Sequence, residues 1–238
     1  MAFTMGKKDS VVIIEMVEQI RACIVQGTIS DKITGAPIDS AFLVITRLGS
    51  SDTLFQVFTA ADGFYRYISL PANQTFVLSV IRNGYFAQNI QLKTGVCKAT
   101  KAVLYDYLRD FPLEPIIIGK AFKIDNIYFD LNKYNIRKDA AKELDKIVKI
   151  LEDNPEIIIE LSSHTDARGN DASNELLSDR RAKSSVAYII SKGISASRIT
   201  AKGYGETRLV NRCGNNVKCS EKEHQENRRT EFQVVGFL

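Results

Sequence analysis

Residues 156–182 read EIIIELSSHTDARGNDASNELLSDRRA, and this stretch decides the fold of the second half of the chain. The apolar run from Glu156 to Leu161 is short and rich in isoleucine, which predicts a strand. The pattern from Ser173 to Lys192 predicts a helix, and Gly193 after it is a typical helix-end signal. The polar residues between these two elements are therefore interpreted as a strand-to-helix loop.

The sequence on both sides of this stretch extends it to a domain over residues 124–238. Apolar residues at helical spacing predict another helix from Lys138 to Glu152, which Pro155 would close. Further strands are predicted over residues 126–131, 198–203 and 229–235. The order of strands and helices favours an α+β layer, with two helices on one mixed sheet. The apolar residues that set the helical spacing are Ala141, Leu144, Ile147, Val148 and Leu151.

The first half has a different pattern of apolar and turn-forming residues. Over residues 23–107, short alternating stretches are separated by turn signals about every ten residues, which favours an all-β sandwich. Residues 1–22 precede it as an N-terminal extension. Residues 108–123 contain Pro112 and Pro115, which predicts a stiffened linker between the two halves.

Composition excludes several classes of function. The net charge is +4 without a basic cluster, so we expect no nucleic-acid partner. No apolar run approaches the roughly 20 residues of a membrane-spanning helix. Lys7 and Lys8 precede an apolar stretch that is too short for a signal peptide, so we expect a fragment of a longer precursor.

Two charged residues of the quoted stretch suggest a binding site. Asp166 lies in the predicted loop, and Arg181 follows fifteen positions later in the predicted helix. An ionised carboxylate accepts hydrogen bonds from an ammonium, and a guanidinium can hold a carboxylate with two parallel bonds. The pair can therefore bind a zwitterion. Alternatively, Asp166 only caps the helix, and Arg181 pairs with Asp179 or Glu175 on the helix surface.

From Ile127 to Val235 the chain carries five motifs in a fixed order over about a hundred residues. These motifs are Phe129-Asp130, His164-Thr165-Asp166, Asn174-x-x-Leu177-Ser178-x-x-Arg181-Ala182, Gly203-Tyr204-Gly205-Glu206 and Asn227-Arg228-Arg229-Thr230-Glu231. With these motifs the segment resembles the OmpA-like C-terminal domain, and its cysteine pair before Asn227 is similar to the form found in Bacteroidetes-type proteins. Ser185, where the family usually has an apolar residue, is a departure that affects the expected helix packing.

The resemblance implies a ligand and further site residues. The family binds peptidoglycan through the diaminopimelate of its stem peptides, so Asp166 would take the ammonium and Arg181 the carboxylate. Asn174 would orient the ligand or cap the helix, and Thr165 would be a secondary contact. Arg228 and Arg229 are candidates for a further cation, although neighbours in a strand point to opposite faces.

Residues 23–104 resemble the carboxypeptidase-regulatory-like domain, a small transthyretin-like sandwich. The shared positions are turn and core residues, so they imply a fold and no chemistry. Gly63 and Gly84 are expected to supply positive φ angles. The motif residues are Gly27, Asp31, Thr34-Gly35-x-Pro37, Asp62-Gly63-x-Tyr65 and Gly84-Tyr85.

Four cysteines leave alternatives open. Cys213 and Cys219 would close a surface loop as a disulfide, which requires an oxidising compartment such as the periplasm. The alternative is zinc held by this pair and His224, but no fourth ligand is evident. Cys23 and Cys97 can pair or remain buried thiols. Cys23 also follows a weak lipoprotein-like box.

Together these features predict a non-catalytic cell-wall tether in the periplasm of a Gram-negative bacterium, without cofactor or metal. The first half would then dock an outer-membrane or secretion assembly. One alternative is a structural interaction scaffold whose ligand site does not function. The other is a cell-wall hydrolase using Ser162, Ser163, His164 and Asp166, for which the sequence shows no oxyanion element.

Overall fold

The structure is a computed structural model that describes residues 22–97, 106–124, 127, 129 and 134–238. In the first half the described residues form two four-stranded sheets. One sheet has the order β4-β1-β7, with β8 also paired to β1, and the other has the order β3-β2-β5-β6. The strands are β1 (Cys23–Asp31), β2 (Phe42–Arg47), β3 (Thr53–Phe58), β4 (Phe64–Leu70), β5 (Thr75–Ile81), β6 (Gln88–Lys93), β7 (Tyr107–Leu108) and β8 (Phe111–Leu113).

Both sheets contribute side chains to one core. The alternation of buried and more exposed residues along β1 and β5 follows the two-residue period of a strand. Gly63 has φ 65°, and a Cβ atom there would lie 2.4 Å from the Ile29 carbonyl oxygen, so this turn requires glycine. Gly84 also has a positive φ, as predicted. The sheet-rich character of this half is confirmed, and the transthyretin-like sandwich stays a prediction.

The segment predicted as a linker carries two strands of its own. Phe111–Leu113 forms β8, and both Phe111 and Leu113 are buried in the core of the first half. Ala121–Ile124 forms β9, which pairs with the last strand of the second half. Residues 114–120 therefore connect β8, in the first half, to β9, in the second half. The prolines of the predicted linker did not prevent these short strands from forming at its two ends.

The second half is a mixed sheet of order β11-β10-β12-β9 with helices packed on it, as predicted. Strands β10 and β11 are parallel, and the other two pairings are antiparallel. None of the described helices is long and apolar enough to cross a membrane. The predicted strand over residues 126–131 lies largely outside the described residues. The remaining elements are α1 (Lys138–Asp153), β10 (Ile157–Ser163), α2 (Asp171–Ser191), a 3₁₀ turn (Ala196–Arg198), β11 (Ile199–Gly203), α3 (Glu221–Asn227) and β12 (Thr230–Phe237).

Helix α1 packs its apolar face on this sheet. Its buried residues follow the predicted spacing with one change: Ala140 is buried, whereas Ala141 is only half-buried. The stripe therefore begins one residue earlier than the sequence suggested, since residues 140 and 144 are one helical turn apart. Its carbonyl end is covered by Arg198, which donates to the carbonyls of Leu151, Asn154 and Ile157.

The two halves are joined by defined contacts. Asn154, at the end of α1, is buried, and its Oδ1 accepts from the backbone N–H of Ala87 at 2.8 Å. Next to it, the ring of Phe86 meets Phe122 edge to face, and Phe122 stacks on Phe232. The loop between β5 and β6 is therefore fixed to the second half by Asn154 and by the rings of Phe122 and Phe232.

Candidate ligand-binding site

The loop after β10 is held in place by backbone bonds. The N–H of His164 donates to the Arg229 carbonyl, and the N–H of Thr165 donates to the Gly205 carbonyl. From α2, Asn174 Nδ2 donates to Glu206 Oε2 at 2.6 Å and lies 3.2 and 3.3 Å from two loop carbonyls. Asn174 therefore clamps the loop, and the cap of α2 is instead Asn170, which accepts from the Ser173 N–H.

Beside this loop lies an open cavity of about 440 Å³. Five of the six residues predicted to bind ligand line it, namely Thr165, Asp166, Asn174, Arg181 and Arg228. The structure therefore brings the loop, helix α2 and the end of helix α3 to one place. The other lining residues are Phe129, Arg168, Leu177, Glu221 and Gln225.

The carboxylate of Asp166 is buried and already has hydrogen-bond donors. Its Oδ1 accepts from the Arg168 backbone N–H at 3.0 Å, and its Oδ2 accepts from Arg168 Nη2 at 2.8 Å and from Arg228 Nη1. Burial alone would raise the pKa of Asp166, but these bonds outweigh it and hold the pKa below its usual value. Asp166 is therefore ionised at neutral pH.

Arg181 approaches the cavity from the body of α2. Its side chain is buried, and its guanidinium carbon lies 4.9 Å from the centre of the Phe129 ring. Burial and the neighbouring Arg228 lower the pKa of Arg181, whereas Asp166 raises it. An arginine remains charged through such changes, so the cavity keeps a buried cation.

Glycines of the Gly-Tyr-Gly segment bring α2 close to the loop. A Cβ atom on Gly203 would lie 2.2 Å from the Asp179 backbone nitrogen, a distance that side chains do not tolerate. The N–H of Gly205 donates to Ser178 Oγ at 2.8 Å. This close approach fixes the height of α2 above the sheet and thereby the position of Arg181.

Three cavity residues were missed in the sequence: Arg168, Glu221 and Gln225. Arg168 Nη1 donates to Glu221 Oε2 at 2.9 Å, and Arg228 contacts both Glu221 and Gln225. Glu221 and Gln225 lie on α3, a short helix that was not predicted. Its signal was the Ser220-x-x-Glu223 pattern, which forms a complete capping box.

Arg229 does not line this cavity. Its guanidinium pairs with Glu231 at 2.6 Å, and it lines a smaller neighbouring cavity of about 60 Å³ with His164. The pKa of Glu231 falls to about 2 because His164 and Arg229 lie against it, although its burial opposes the shift. Burial lowers the pKa of His164, so its imidazole is neutral at pH 7.

Thr165 offers an unused group at the floor of the site. Its hydroxyl is buried and has no hydrogen-bond partner among the residues that the structure describes. An orphaned hydroxyl is unusual in a protein interior and is often explained by a ligand or a water molecule.

The cysteines form two disulfides. Cys213 and Cys219 are bonded, with Cα atoms 5.9 Å apart, and Cys23 is bonded to Cys97. The predicted disulfide of the surface loop is thus present. The zinc alternative needed free thiolates at Cys213 and Cys219, and the disulfide consumes them.

The candidate hydrolase residues are not assembled as a catalytic group. Ser162 Oγ lies 3.5 Å from the Glu231 carbonyl, and Ser163 Oγ lies near Thr230 Oγ1. In the described part of the chain, no hydrogen bond joins either serine to His164. The His164 ring instead stacks on Tyr204, with ring centres 5.4 Å apart.

Residues 128–223 match the OmpA family. This part of the chain is an OmpA-like domain, which confirms the resemblance seen in its motifs. The match does not include residues 23–107, for which the carboxypeptidase-regulatory-like domain stays a prediction.

Curated relatives match about half of this chain. Outer membrane protein A of Shigella flexneri is 38% identical over 134 residues, which are 52% of this chain and 37% of that protein. Outer membrane protein A of Serratia odorifera is 32% identical over 51% of this chain and 54% of that protein. Photosystem I P700 chlorophyll a apoprotein A2 of Gloeobacter violaceus is 36% identical over 53% of this chain, but over only 15% of that protein. The chain thus spans about half or less of these relatives.

Solved structures similar to the chain include the peptidoglycan-associated lipoprotein of Burkholderia pseudomallei, with a TM-score of 0.41 and 22% identity over 45% of this chain and 87% of that one. Another is the cell wall anchor of the T6SS from Pseudomonas aeruginosa, with a TM-score of 0.40 and 22% identity over 49% of this chain and 79% of that one. Both TM-scores are below 0.5, so neither match is evidence of function.

Proposed function

We propose that the second half is a non-catalytic peptidoglycan-binding domain that holds the side-chain end of diaminopimelate in a stem peptide. The observation that carries this proposal is the meeting of Asp166 and Arg181 at one cavity, although they come from different elements. Diaminopimelate presents an ammonium and a carboxylate at that end, so its two charges match the two residues.

In this proposal each charge of the ligand binds a protein side chain of opposite charge. The ammonium binds Asp166, which is ionised and accepts hydrogen bonds only. The carboxylate binds Arg181, whose fork suits two parallel bonds, with Arg228 as a further cation at the cavity wall. Thr165 supplies its unused hydroxyl, and Asn174 keeps the loop in position without touching the ligand.

The site discriminates between stem peptides. A lysine-type peptide lacks the side-chain carboxylate, so it would forgo the two parallel charge-assisted bonds that the Arg181 guanidinium can give to that group. The loss is on the order of 1–3 kcal/mol, which is about five- to 150-fold in affinity. We therefore expect selectivity for the diaminopimelate type.

We place the protein in the periplasm, where it tethers an outer-membrane or secretion assembly to the cell wall through its first half. The two disulfides support an oxidising compartment. The name of the relatives in sequence, outer membrane protein A, supports a cell-envelope role. No catalytic step is assigned.

Calorimetric titration of the whole chain with a diaminopimelate stem peptide tests the proposal. We expect saturable binding that falls at least tenfold in Arg181→Ala and in Asp166→Asn, and weak binding of the lysine-type peptide. Arg180→Ala is the matched control, because Arg180 is the adjacent, exposed arginine on the same helix. A folded wild type that does not bind would instead favour the scaffold with a non-functional site.

A further inference from the structure

Arg168 occupies a place that the proposed ligand needs. Its Nη2 and Nε lie 2.8 and 3.2 Å from Asp166 Oδ2, where the ligand's ammonium would bind. The Arg168 side chain is about half exposed (52%), whereas that of Asp166 is buried. The long side chain of Arg168, on the solvent side, therefore covers the buried carboxylate of Asp166.

The same guanidinium reaches a second carboxylate. Arg168 Nη1 lies 2.9 Å from Glu221 Oε2, and Nη2 lies 3.5 Å from Glu221 Oε1. The backbone of Glu221 is fixed, because the capping box of α3 begins at Ser220 and the disulfide at Cys219 precedes it directly. Arg168 thus bridges Asp166, inside the cavity, and Glu221, at its mouth.

We propose that Arg168 is an internal stand-in for the ligand's ammonium, and that Glu221 receives the Arg168 guanidinium when the ligand binds. The inference rests on the proposed function and adds two specificity-determining residues to it. During the exchange Asp166 trades one cation for another and keeps its bond from Arg228, while Arg168 keeps a carboxylate partner. The exchange costs little because no charge is left unpaired: Arg168 keeps Glu221, and Asp166 gains the ammonium and keeps Arg228.

The stand-in has a consequence for specificity. A ligand with a carboxylate but no ammonium needs no exchange, since Arg168 already neutralises Asp166 and leaves Arg181 and Arg228 nearby. Without Arg168, Arg228 is the one charged donor that this structure shows on the Asp166 carboxylate, which then attracts an ammonium and repels such an anion more strongly. Removal of Arg168 therefore increases the affinity for the zwitterion relative to the affinity for a ligand that lacks the ammonium. The difference between these two affinities is the specificity of the site.

Glu221 could have the opposite effect by a different route. It also contacts Arg228, so it could simply compete with the ligand's carboxylate for that guanidinium. In that case its removal would strengthen binding. The two roles predict opposite signs for Glu221→Gln, which makes this variant decisive.

The experiment is calorimetry of the whole chain with a diaminopimelate stem peptide and with an analogue whose side-chain amino group is replaced by hydrogen. In Arg168→Ala we expect roughly three- to tenfold tighter binding of the peptide and weaker binding of the analogue. In Glu221→Gln we expect roughly three- to tenfold weaker binding of the peptide, an effect that vanishes in the double variant. Arg212→Ala, an exposed arginine before α3, is the charge-matched control and should leave both affinities unchanged.

The outcomes separate the two proposals. If the wild type binds the peptide but Arg168→Ala lowers the affinity, or Glu221→Gln raises it, the role of Arg168 as a stand-in is refuted. The proposed function is unaffected by that result. If the folded wild type binds neither molecule, the proposed function is contradicted and the stand-in falls with it.

Discussion

Arg198 completes the end of α1 in a way that predicts a stability effect. Its guanidinium is buried and donates to the carbonyls of Leu151 and Asn154, at the end of the helix, and to that of Ile157, at the start of β10. Arg198→Ala should lower the free energy of unfolding by about 2–4 kcal/mol, because the carbonyls stay buried and lose their donors. Urea denaturation measures the change. The exposed Arg212→Ala should change it by less than about 0.5 kcal/mol, and an equal effect of both variants would contradict the role of Arg198.

Glu231 predicts how stability depends on pH. Its pKa is depressed to about 2 in the folded protein, so the unfolded chain takes up a proton first as the pH falls. The stabilisation is therefore complete above the ordinary glutamate pKa of about 4.5 and is lost between about pH 4.5 and 2. The depressed pKa of His164 acts in the same direction, starting below about pH 6.5.

Urea melts at pH 6, 4 and 3 test this prediction. In Glu231→Gln the stability should fall less steeply between pH 4.5 and 3, with a difference on the order of 2 kcal/mol from the wild type. Glu152→Gln, at an exposed position, is the control and should follow the wild-type curve. Identical slopes for all three proteins would show that Glu231 is not the titrating group.

At the scale of single residues, the pairing of Asp166 with Arg181 could be proposed from the sequence, since their spacing along one loop and one helix is enough to place both. The sequence did not allow the role of Arg168 to be seen, because that role depends on Glu221, which lies 53 positions away in sequence. Asn174 was predicted to orient the ligand or to cap the helix: the cap is Asn170, the amide of Asn174 turns to the loop carbonyls, and its ligand role stays a prediction. Which way an amide points depends on acceptors that folding brings near it.

The contact between α2 and β11 is an element-scale feature with a sharp test. Because a Cβ atom at Gly203 would lie 2.2 Å from the Asp179 nitrogen, Gly203→Ala must push the helix away from the sheet. We expect a loss of about 1–3 kcal/mol in unfolding free energy and weaker ligand binding, since Arg181 moves with its helix. Gly236→Ala is the control, because a Cβ atom there meets nothing within 4 Å. Unchanged binding in a folded Gly203→Ala protein would contradict this coupling.

The Cys213–Cys219 disulfide fixes the segment that leads into α3. Replacing both cysteines by serine should lower the free energy of unfolding by about 2 kcal/mol, the loop-entropy value for so short a loop. Ligand affinity should fall as well, because Glu221 lies two residues beyond the bridge. The matched control replaces Cys23 and Cys97, whose bridge lies in the first half and should leave the affinity unchanged. Calorimetric titration under identical conditions compares the two variants.

Helices α1 and α2 were predicted to within two residues, and α1 has the strong apolar periodicity that makes a helix visible in sequence. Helix α3 was missed because its seven residues are too few to show a periodic pattern, and only its cap is visible in sequence. Strands β8 and β9 were missed for a related reason. Three or four residues near prolines resemble a linker until partner strands supply their hydrogen bonds.

At the scale of the whole molecule, Asn154 predicts coupling between the two halves. Its side chain bonds both the N–H of Ala87 and the carbonyl of Ile150. Asn154→Ala should cost about 1–2 kcal/mol and separate the unfolding transitions of the halves in scanning calorimetry. Asn83→Ala changes an exposed asparagine on the same loop and serves as the control. A single, unshifted transition in Asn154→Ala would show that the halves are coupled elsewhere.

The two-part organisation was predictable because composition and periodicity change between the halves. Their junction was not predictable, since it consists of an amide, a loop and three aromatic rings that are far apart in sequence. Sequence patterns report the faces that elements bury against their own sheet. They carry little information about a contact between two separately formed cores.

The Asn154 contact precedes the central strand β10 and Asp166 follows it, which has a mechanical consequence. A pull between the proposed cell-wall ligand at Asp166 and the first half enters β9 at Ala121 and runs along β9, β12 and β10, whose registers overlap. Force directed along paired strands loads their backbone hydrogen bonds in shear, so that these bonds resist together. A pull across the strands would open them one after another like a zipper. The order of the strands thus suits the domain to bear tension between two anchored ends.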